Sequence, residues 1–225
     1  MAPPPPPPHR AEVEYLVRRA LYQRMGKNPP RRTLAPSPLV VNVRARHCHL
    51  TAEAVETLFG KGSVLTPMKE LYQKGRFVAQ QTVTLAGPLG RVISNLRILG
   101  PSRSQNQVEL ARTDAAALGF EIPVRSSGSV SGTPGCVLIG PAGSLQLNEG
   151  VIRAAPHVHM HPDEAAFYKV KDGDFMRLHV GGPCATTFER LLVRVHADFK
   201  LEVHIDTDEA NACALEPGTP VELLT

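Results

Sequence analysis

Two pairs of histidines, each pair separated by one residue, are the most chemically informative feature of this sequence. They are His47 and His49 in RHCHL and His157 and His159 in PHVHM, and a further histidine, His204, lies in LEVHIDTDEAN. In a β-strand, residues two apart point to the same face, so each pair places two imidazoles side by side. Neighbouring imidazoles chelate borderline divalent ions such as Zn²⁺. The two pairs, together with His204, therefore predict a metal centre.

Two residues close to the first pair leave alternatives open. Cys48 could be a ligand or a nucleophile, but strand alternation turns it away from the histidines, which favours a small buried side chain. Glu53 follows His49 at the spacing of a cupin metal motif, yet it also falls in an expected first helical turn, where an acidic residue is favourable. The glycine that a cupin has six residues before its first histidine is Val41 here. A cupin-like enzyme with one metal ion remains an alternative.

Arginines are concentrated in the turn-rich stretch RILGPSRSQNQVELARTDAAALGFEIPVRSSG. The planar guanidinium group matches anionic oxygens such as those of phosphate, so this stretch could bind an anion. Its arginines are Arg97, Arg103, Arg112 and Arg125. Glu109, in the strand-like segment QVELA, is a possible carboxylate ligand, although alternation alone does not establish that role. A non-catalytic, metal-binding scaffold protein would have no need for these arginines, and it is the second alternative.

The elements that must hold these residues are mostly short strands. The 18 glycines and 21 prolines favour many turns over long helices. Segments with strand character are LVVNVRARHCHL, VTLAGP, RVISNLRILGP, GCVLIGP, FMRLHVGG, LLVRVHADF and LEVHID. Short helices are predicted at TAEAVETLFG, TDAAALG and HPDEAAFYKV. RHCHLTAEAVETLFG and PHVHMHPDEAAFYKV share a histidine pair followed by an acidic helix start, which indicates a duplication. The pattern predicts a mainly β fold of the barrel or sandwich class.

The first 38 residues differ in character from the rest of the chain. The tract PPPPPP precedes AEVEYLVRRALYQRMG, and a proline-rich linker follows. One face of this short predicted helix is apolar, through Val13, Leu16, Val17, Ala20 and Leu21. The helix either docks on its own domain or serves as a docking peptide for a partner surface.

Composition and charge exclude several classes of protein. The chain is 42% hydrophobic and 20% charged, which is typical of a globular protein. Its net charge of +4 comes without basic runs interleaved with aromatics, so a nucleic-acid partner is not expected. No apolar stretch approaches the roughly 18 residues needed to span a membrane. Four separated cysteines without a CxxC pair, and the lack of a signal peptide, predict a reducing, cytoplasmic location.

Several motifs together resemble the phosphate propanoyltransferase family, the phosphotransacylases of bacterial microcompartments such as those for propanediol use. They are RHCHL, LFGKGSVLTPMKEL, GPLGRVISNLRILGPSR, QVELARTDAAALG, PVRSSG, HVHM and LEVHIDTDEANA, and they cover about residues 39–224. The resemblance implies two β-barrels capped by short helices, with a metal site at their interface. One barrel would combine residues 39–46 with 155–225 and the other would contain residues 47–154. Residues 1–38 would be a targeting helix and linker.

The resemblance also implies the site residues. Two zinc ions are expected, the first on His47, His49 and Glu109, where the sulfur of coenzyme A can complete the ligand set. The second is expected on His157, His159 and His204. Arg103, in the matching GPSR turn, would be the catalytic arginine. A stacking aromatic for the adenine of coenzyme A is expected too, and Phe120 is the candidate.

The implied function is transfer of a short acyl group, propanoyl or acetyl, between coenzyme A and inorganic phosphate, directly and without an acyl-enzyme. We also expect a homo-oligomer that resides in the lumen of a bacterial microcompartment, directed to shell proteins by residues 11–26. The chain departs from the family pattern at Pro156, usually Arg, at Cys48, usually Val, and in RARH, which lacks the usual Asn. These departures concern secondary contacts and leave the expected zinc ligands in place.

Overall fold

The computed structural model describes residues 38–225 and, before them, only Val17, Leu21, Arg24, Met25 and Gly26. Residues 1–35 and 36–225 form two compact units. In the first unit, Val17, Leu21 and Arg24 are helical, and the side chains of Val17, Leu21 and Met25 are more than half exposed. The remainder of the predicted amphipathic helix lies outside the described residues.

The second unit is built from short strands and four short helices in its described part. The strands are β1 (Val40–Arg44), β2 (His47–His49), β3 (Pro67–Glu70), β4 (Phe77–Ala86), β5 (Val92–Gly100), β6 (Gln107–Glu109), β7 (Val124–Arg125), β8 (Cys136–Ile139), β9 (Ser144–Leu147), β10 (Val151–Ala154), β11 (His157–Met160), β12 (Phe175–Val180), β13 (Thr186–Val195), β14 (Glu202–Asp206) and β15 (Val221–Leu224). The helices are α1 (Ala52–Phe59), α2 (Arg112–Leu118), α3 (Pro162–Tyr168) and α4 (Thr207–Ala212).

These strands form two sheets, each curled into a half-barrel. Sheet A has six strands in the order β1-β14-β11-β13-β12-β15. Sheet B has nine strands, in the order β7-β10-β6-β2-β5-β4-β8-β9 with β3 paired to β4. The prediction of a mainly β fold with two barrel-like sheets and short helices is confirmed. The exact limits of the two predicted domains stay a prediction.

The two sheets repeat one pairing pattern around their central strands. In sheet B, β2 is antiparallel to β6 and parallel to β5, and β6 is parallel to β10. In sheet A, β11 is antiparallel to β14 and parallel to β13, and β14 is parallel to β1. The correspondence supports the duplication indicated by the sequence. The strand before each histidine pair lies in the opposite sheet. β1 precedes β2 but belongs to sheet A, and β10 precedes β11 but belongs to sheet B.

Each sheet has its own hydrophobic core, because the apolar faces of the strands pack under the helices that follow them. The core of sheet B includes Leu50, Leu58, Ile98, Leu118 and Leu138. The core of sheet A includes Val158, Met160, Met176, Leu178 and Leu191. Burial of these aliphatic side chains, each contributing about 1.5–3 kcal/mol, fixes the strands that carry the histidines.

Three of the four described helices, α1, α3 and α4, begin with a capping side chain. The Thr51 hydroxyl accepts from the Ala54 N–H at α1, and Pro162 occupies the first turn of α3. The three predicted helices are confirmed as α1, α2 and α3, whereas α4 was not predicted. Its capping box between Asp206 and Glu209 was a sequence signal for it. No helix in the described part of the chain is long and apolar enough to span a membrane.

Candidate metal centre

The first group of site residues, the His–Glu cluster, consists of His47, His49 and Glu109. The histidines lie on β2, and Glu109 stands opposite His47 on the antiparallel strand β6. His47 Nε2 is 3.4 Å and His49 Nε2 is 3.8 Å from the Glu109 carboxylate. All three side chains are almost completely buried. Three potential ligand atoms lie within 4.8 Å of one another, close enough to share one ion.

The second group, the histidine triad, consists of His157, His159 and His204. His157 and His159 lie on β11, and His204 stands opposite His157 on β14. The ring centroids are 4.7–4.9 Å apart, and the potential ligand atoms lie within 4.8 Å of one another. The fold thus brings together both expected sets, from segments that are far apart in the sequence.

Backbone carbonyls fix the ring orientation of three of these histidines. His47 Nδ1 lies 2.8 Å from the Ala45 carbonyl oxygen, and His157 Nδ1 lies 2.8 Å from the Ala155 carbonyl oxygen. His49 Nδ1 lies 3.1 Å from the Leu99 carbonyl oxygen. A carbonyl oxygen only accepts hydrogen bonds, so each Nδ1 carries the proton. Each Nε2 is then left with a free lone pair, as in a metal-ligating histidine.

Several buried polar atoms of both clusters have no hydrogen-bond partner among the described residues. They are Nε2 of His47, His49 and His204, both ring nitrogens of His159, and Oε2 of Glu109. Burying a polar atom without a partner costs about 1–3 kcal/mol, so such atoms are rare in native proteins. Four imidazoles and a carboxylate whose unpaired atoms converge match the donor set of divalent zinc. The residues therefore fit the expected metal ions.

The electrostatics of the clusters keep four of the histidines and Glu109 in the metal-binding protonation state. Burial, with His47 alongside, lowers the pKa of His49 to about 2. Burial, with Arg44 nearby, lowers the pKa of His157 to about 4. Burial also lowers the pKa of His159 and His204 far below the usual range. For Glu109, burial acts to raise the pKa, but the neighbouring His47 and Arg44 hold it well below its ordinary value. At neutral pH these imidazoles are neutral and the carboxylate is ionised, the forms that bind metal.

Both clusters border one pocket of about 540 Å³, to which His47, His49, His159 and His204 contribute. Arginines from several elements also line it: Arg44, Arg46, Arg76, Arg97, Arg103 and Arg194. Burial lowers the pKa of Arg103 to about 10, with Glu109 opposing the shift, so the guanidinium remains charged at neutral pH. A concave site lined with cations next to two potential metal sites suits a polyanionic ligand.

A hydrogen-bond network connects Arg103 to the His–Glu cluster. Arg103 Nη1 donates to Ser127 Oγ at 3.4 Å, and Ser127 Oγ donates to Glu109 Oε1 at 3.0 Å. Gln107 Nε2 donates to the same Glu109 oxygen at 2.6 Å. These bonds satisfy Oε1 and leave Oε2 facing His47.

Arg44, the last residue of β1, lies between the two clusters. Its Nε donates to His204 Nδ1 at 2.8 Å, and its Nη1 lies 3.7 Å from Glu109 Oε2. One side chain therefore contacts a member of each cluster, so the clusters form a single centre between the two sheets.

Some residues singled out in the sequence lie away from this centre. The structure contradicts the expectation that Phe120 stacks on the adenine of coenzyme A. Phe120 is only 5% exposed, packs in the core of sheet B and does not line the pocket, so its ring has no face free to stack on adenine. Arg112 and Arg125 line a separate open pocket. Cys48 is completely buried in the core, and Glu53 is exposed on α1. The cupin alternative thus loses its carboxylate ligand.

Glu202 is a member of the centre that the sequence reasoning missed. It lies two residues before His204 on β14 and stands opposite His159. It is 1% exposed, and its Oε2 is 3.1 Å from His204 Nε2. Strand alternation places Glu202 and His204 on one face, so the signal was present in LEVHID.

Comparisons with known proteins identify the relatives of this chain. A family model described as phosphate propanoyltransferase matches residues 40–216. A phosphate propanoyltransferase of Planctopirus limnophila is 53% identical over 222 residues, covering 96% of this chain and 91% of that protein. The phosphate propanoyltransferase of Thermotoga maritima is 48% identical, covering 92% and 94%. That of Salmonella typhimurium is 44% identical, covering 80% and 85%.

Proposed function

The chain belongs to the phosphate propanoyltransferase family, and from this premise we propose that it transfers a short acyl group between coenzyme A and inorganic phosphate. It is an acyltransferase. In the proposed reaction, a phosphate oxygen bonds to the thioester carbonyl carbon, the carbon–sulfur bond breaks, and the sulfur leaves as thiolate. The products are acyl phosphate and free coenzyme A, and the reaction is reversible.

The proposal includes two zinc ions, one held by His47, His49 and Glu109 and the other by His157, His159 and His204. The unpaired ring nitrogens of four of these buried histidines support it. Bound zinc would supply Lewis-acid polarisation of the thioester and stabilisation of a thiolate.

The chain's own contribution is to hold phosphate and to stabilise negative charge. Arg103 directs a charged guanidinium into the pocket and is oriented by Ser127. Arg76, Arg97 and Arg194 add positive charge to the same walls. Donors held in place before the reaction stabilise the oxyanion that develops on the carbonyl oxygen, because they need no reorganisation.

The positions of candidate nucleophiles support direct transfer. Cys48 is turned away from the histidines into the core, and burial raises the pKa of its thiol far above its usual range, so it is not a thiolate at neutral pH. Ser127 Oγ donates its hydrogen to Glu109 and accepts from Arg103 and Gln107. Both roles are structural, so we propose that phosphate attacks without an acyl-enzyme.

The observation that carries the proposal is the convergence of unpaired histidine nitrogens and Arg103 on one pocket. The test is free-thiol release from acetyl-CoA and propanoyl-CoA, with and without phosphate, before and after metal chelation. We expect release that requires phosphate, stops on chelation and returns with zinc. A folded, zinc-loaded protein without phosphate-dependent release would contradict the transferase proposal and favour the metal-binding scaffold. The ratio of the two rates addresses acyl preference, since one methylene contributes only about 1–3 kcal/mol.

We further propose that residues 11–26 bind a microcompartment shell protein, and that the enzyme works as a homo-oligomer in the compartment lumen. Val17, Leu21 and Met25 support the first point, since they are spaced as one helical face and are 53%, 54% and 62% exposed. A fluorescent protein fused to residues 1–38 should co-localise with shell protein, and Leu21→Glu should abolish this. Sedimentation of the full chain tests the oligomer.

A further inference from the structure

We propose that Glu202 is a positioning residue for the histidine triad, holding His204 in place and supplying the negative charge that a divalent cation there requires. The inference deepens the proposed function and rests on its metal site.

Glu202 has the placement that this role requires. Its Oε2 lies 3.1 Å from His204 Nε2, a nitrogen that makes no aligned hydrogen bond within the described residues. Glu202 also stands opposite His159 in the β11–β14 register and lines the pocket. Its carboxylate therefore contacts one member of the triad, lies on the strand position opposite another, and is almost inaccessible to water.

Two side-chain amides hold the Glu202 carboxylate rigidly. Asn42 Nδ2 donates to Oε1 at 2.8 Å and Gln73 Nε2 donates to Oε2 at 2.7 Å. The Gln73 amide is itself fixed, because it donates to the Lys200 carbonyl at 2.9 Å and accepts from the Lys200 N–H at 3.0 Å. With a donor on each oxygen, the carboxylate cannot rotate away from His204 without losing a hydrogen bond.

The internal duplication gives an independent argument. Gln107 stands opposite His49 on β6, as Glu202 stands opposite His159 on β14. Gln107 lies two residues before Glu109, donates to it at 2.6 Å and so orients it. Gln107 and Glu202 therefore hold equivalent positions, and each contacts the third member of its cluster. They differ in that Gln107 offers a donor to Glu109, whereas Glu202 offers an anionic oxygen to His204.

The charges around the triad explain this difference in polarity. The His–Glu cluster contains its own carboxylate, Glu109, whereas the triad is made of three neutral imidazoles. Arg44 contacts His204, and Arg194 is the β13 partner of His159. These two cations disfavour a further cation, so the triad needs a nearby anion to bind one. Glu202 is that anion.

The test is the metal affinity of the full-length protein, which does not depend on turnover. Zinc is titrated against a chelator of known affinity, and the step that disappears in His159→Gln identifies the triad. We expect Glu202→Gln, which keeps the shape and removes the charge, to weaken that step about 10–100-fold and to leave the other step unchanged. The matched control is Glu164→Gln, because Glu164 is a buried carboxylate in the capping box of α3 whose side chain bonds the His161 N–H and no cluster residue among those described.

Each result is decisive for the proposal. Wild-type affinity of the triad in folded Glu202→Gln overturns it, as does equal weakening of both steps, which would indicate general destabilisation. If Glu202→Gln does not fold, the same titration is made with Gln73→Met. This variant removes the hydrogen bond to Glu202 Oε2 and keeps the charge of Glu202. We expect a smaller, triad-specific loss in that variant, and no loss overturns the proposal. If His159→Gln removes no zinc step from the titration, the triad binds no zinc, and that result overturns the second zinc site together with the proposal.

Discussion

At the level of single residues, a substitution of Arg103 can separate catalysis from metal binding. The Arg103 side chain lines the pocket and, within the described part of the chain, is connected to Glu109 only through the Ser127 hydroxyl. We expect Arg103→Lys to lower kcat/KM about 100- to 1000-fold, the usual effect of removing one preorganised donor. Lysine keeps the charge but not the planar pair of donors. Steady-state kinetics with metal analysis checks this, and zinc content should not change. Arg112→Lys, in the separate open pocket, is the control. A loss of zinc in Arg103→Lys would instead assign Arg103 a structural role.

Cys48 provides the opposite case, a residue between two proposed ligands for which we expect no chemical role. Because its side chain is 0% exposed and belongs to the core of sheet B, Cys48→Ala should lower the free energy of unfolding by roughly 1 kcal/mol. Zinc content and turnover should stay at the wild-type level. Urea unfolding, metal analysis and the thiol-release assay measure these quantities, with Cys136→Ala as a matched core substitution. Lost turnover with zinc retained would argue for an acyl-enzyme.

The sequence revealed the histidines of this centre better than the groups around them. Strand alternation alone placed His47 beside His49, because that geometry is local. Glu109 was assigned through the family resemblance, since its contact with His47 depends on a strand pairing. The contact between Arg44 and His204 spans 160 positions and that between Gln73 and Glu202 spans 129. Such contacts depend on the arrangement of the two sheets, which local patterns do not encode.

At the level of secondary structure, helix α2 is capped by a residue of another helix, α4. Its own N-cap residue, Ala111, has no capping side chain. Asp208 of α4 accepts hydrogen bonds from the Thr113 N–H at 2.9 Å and the Thr113 hydroxyl at 2.6 Å. We expect Asp208→Ala to lower the free energy of unfolding by about 1 kcal/mol, the usual value of an N-cap. Urea denaturation tests this, with Glu121→Ala as an exposed acidic control. Equal stability of the two variants would contradict the capping role.

The strands illustrate what local patterns can and cannot predict. The alternation in residues 39–50 was recognised as strand, but the structure divides this run into β1 and β2 in different sheets. The division falls at Ala45 and Arg46, where no glycine or proline marks a turn. Alternation reports which residues share a face, whereas sheet membership depends on partners elsewhere in the chain. The resemblance to a known family, not periodicity, supplied that information.

For the molecule as a whole, the buried histidines link stability to pH once metal is removed. An unfolded histidine has a pKa of about 6.5, whereas the pKa of His157 is lowered to about 4 and that of His49 to about 2 in the fold. Below pH 6.5 the unfolded state therefore binds protons that the folded state does not, and stability falls as the pH falls. Each such histidine should remove roughly 1–2 kcal/mol between pH 6.5 and pH 5.

Urea unfolding of the metal-stripped protein at pH 7.5 and pH 5 measures this loss. His157→Gln should reduce the difference between the two pH values, because it removes one of the titrating groups. His196→Gln should leave the difference unchanged, since the side chain of His196 is 60% exposed. A metal-free protein equally stable at both pH values would show that these histidines are hydrated and not buried.

The exchange of leading strands between the two halves has a consequence for synthesis on the ribosome. β1 is among the first strands translated, but its partner β14 follows much later, since Asn42 and Glu202 are 160 positions apart. At about 5–20 residues per second, β1 waits roughly 8–30 s for that partner, with an unpaired edge that invites association with other chains. Residues 47–154 supply every strand of sheet B and so can complete the His–Glu cluster first. A nascent chain released before residue 200 would carry that cluster without the triad. Its β1 strand would also keep an unpaired edge that can associate with other chains.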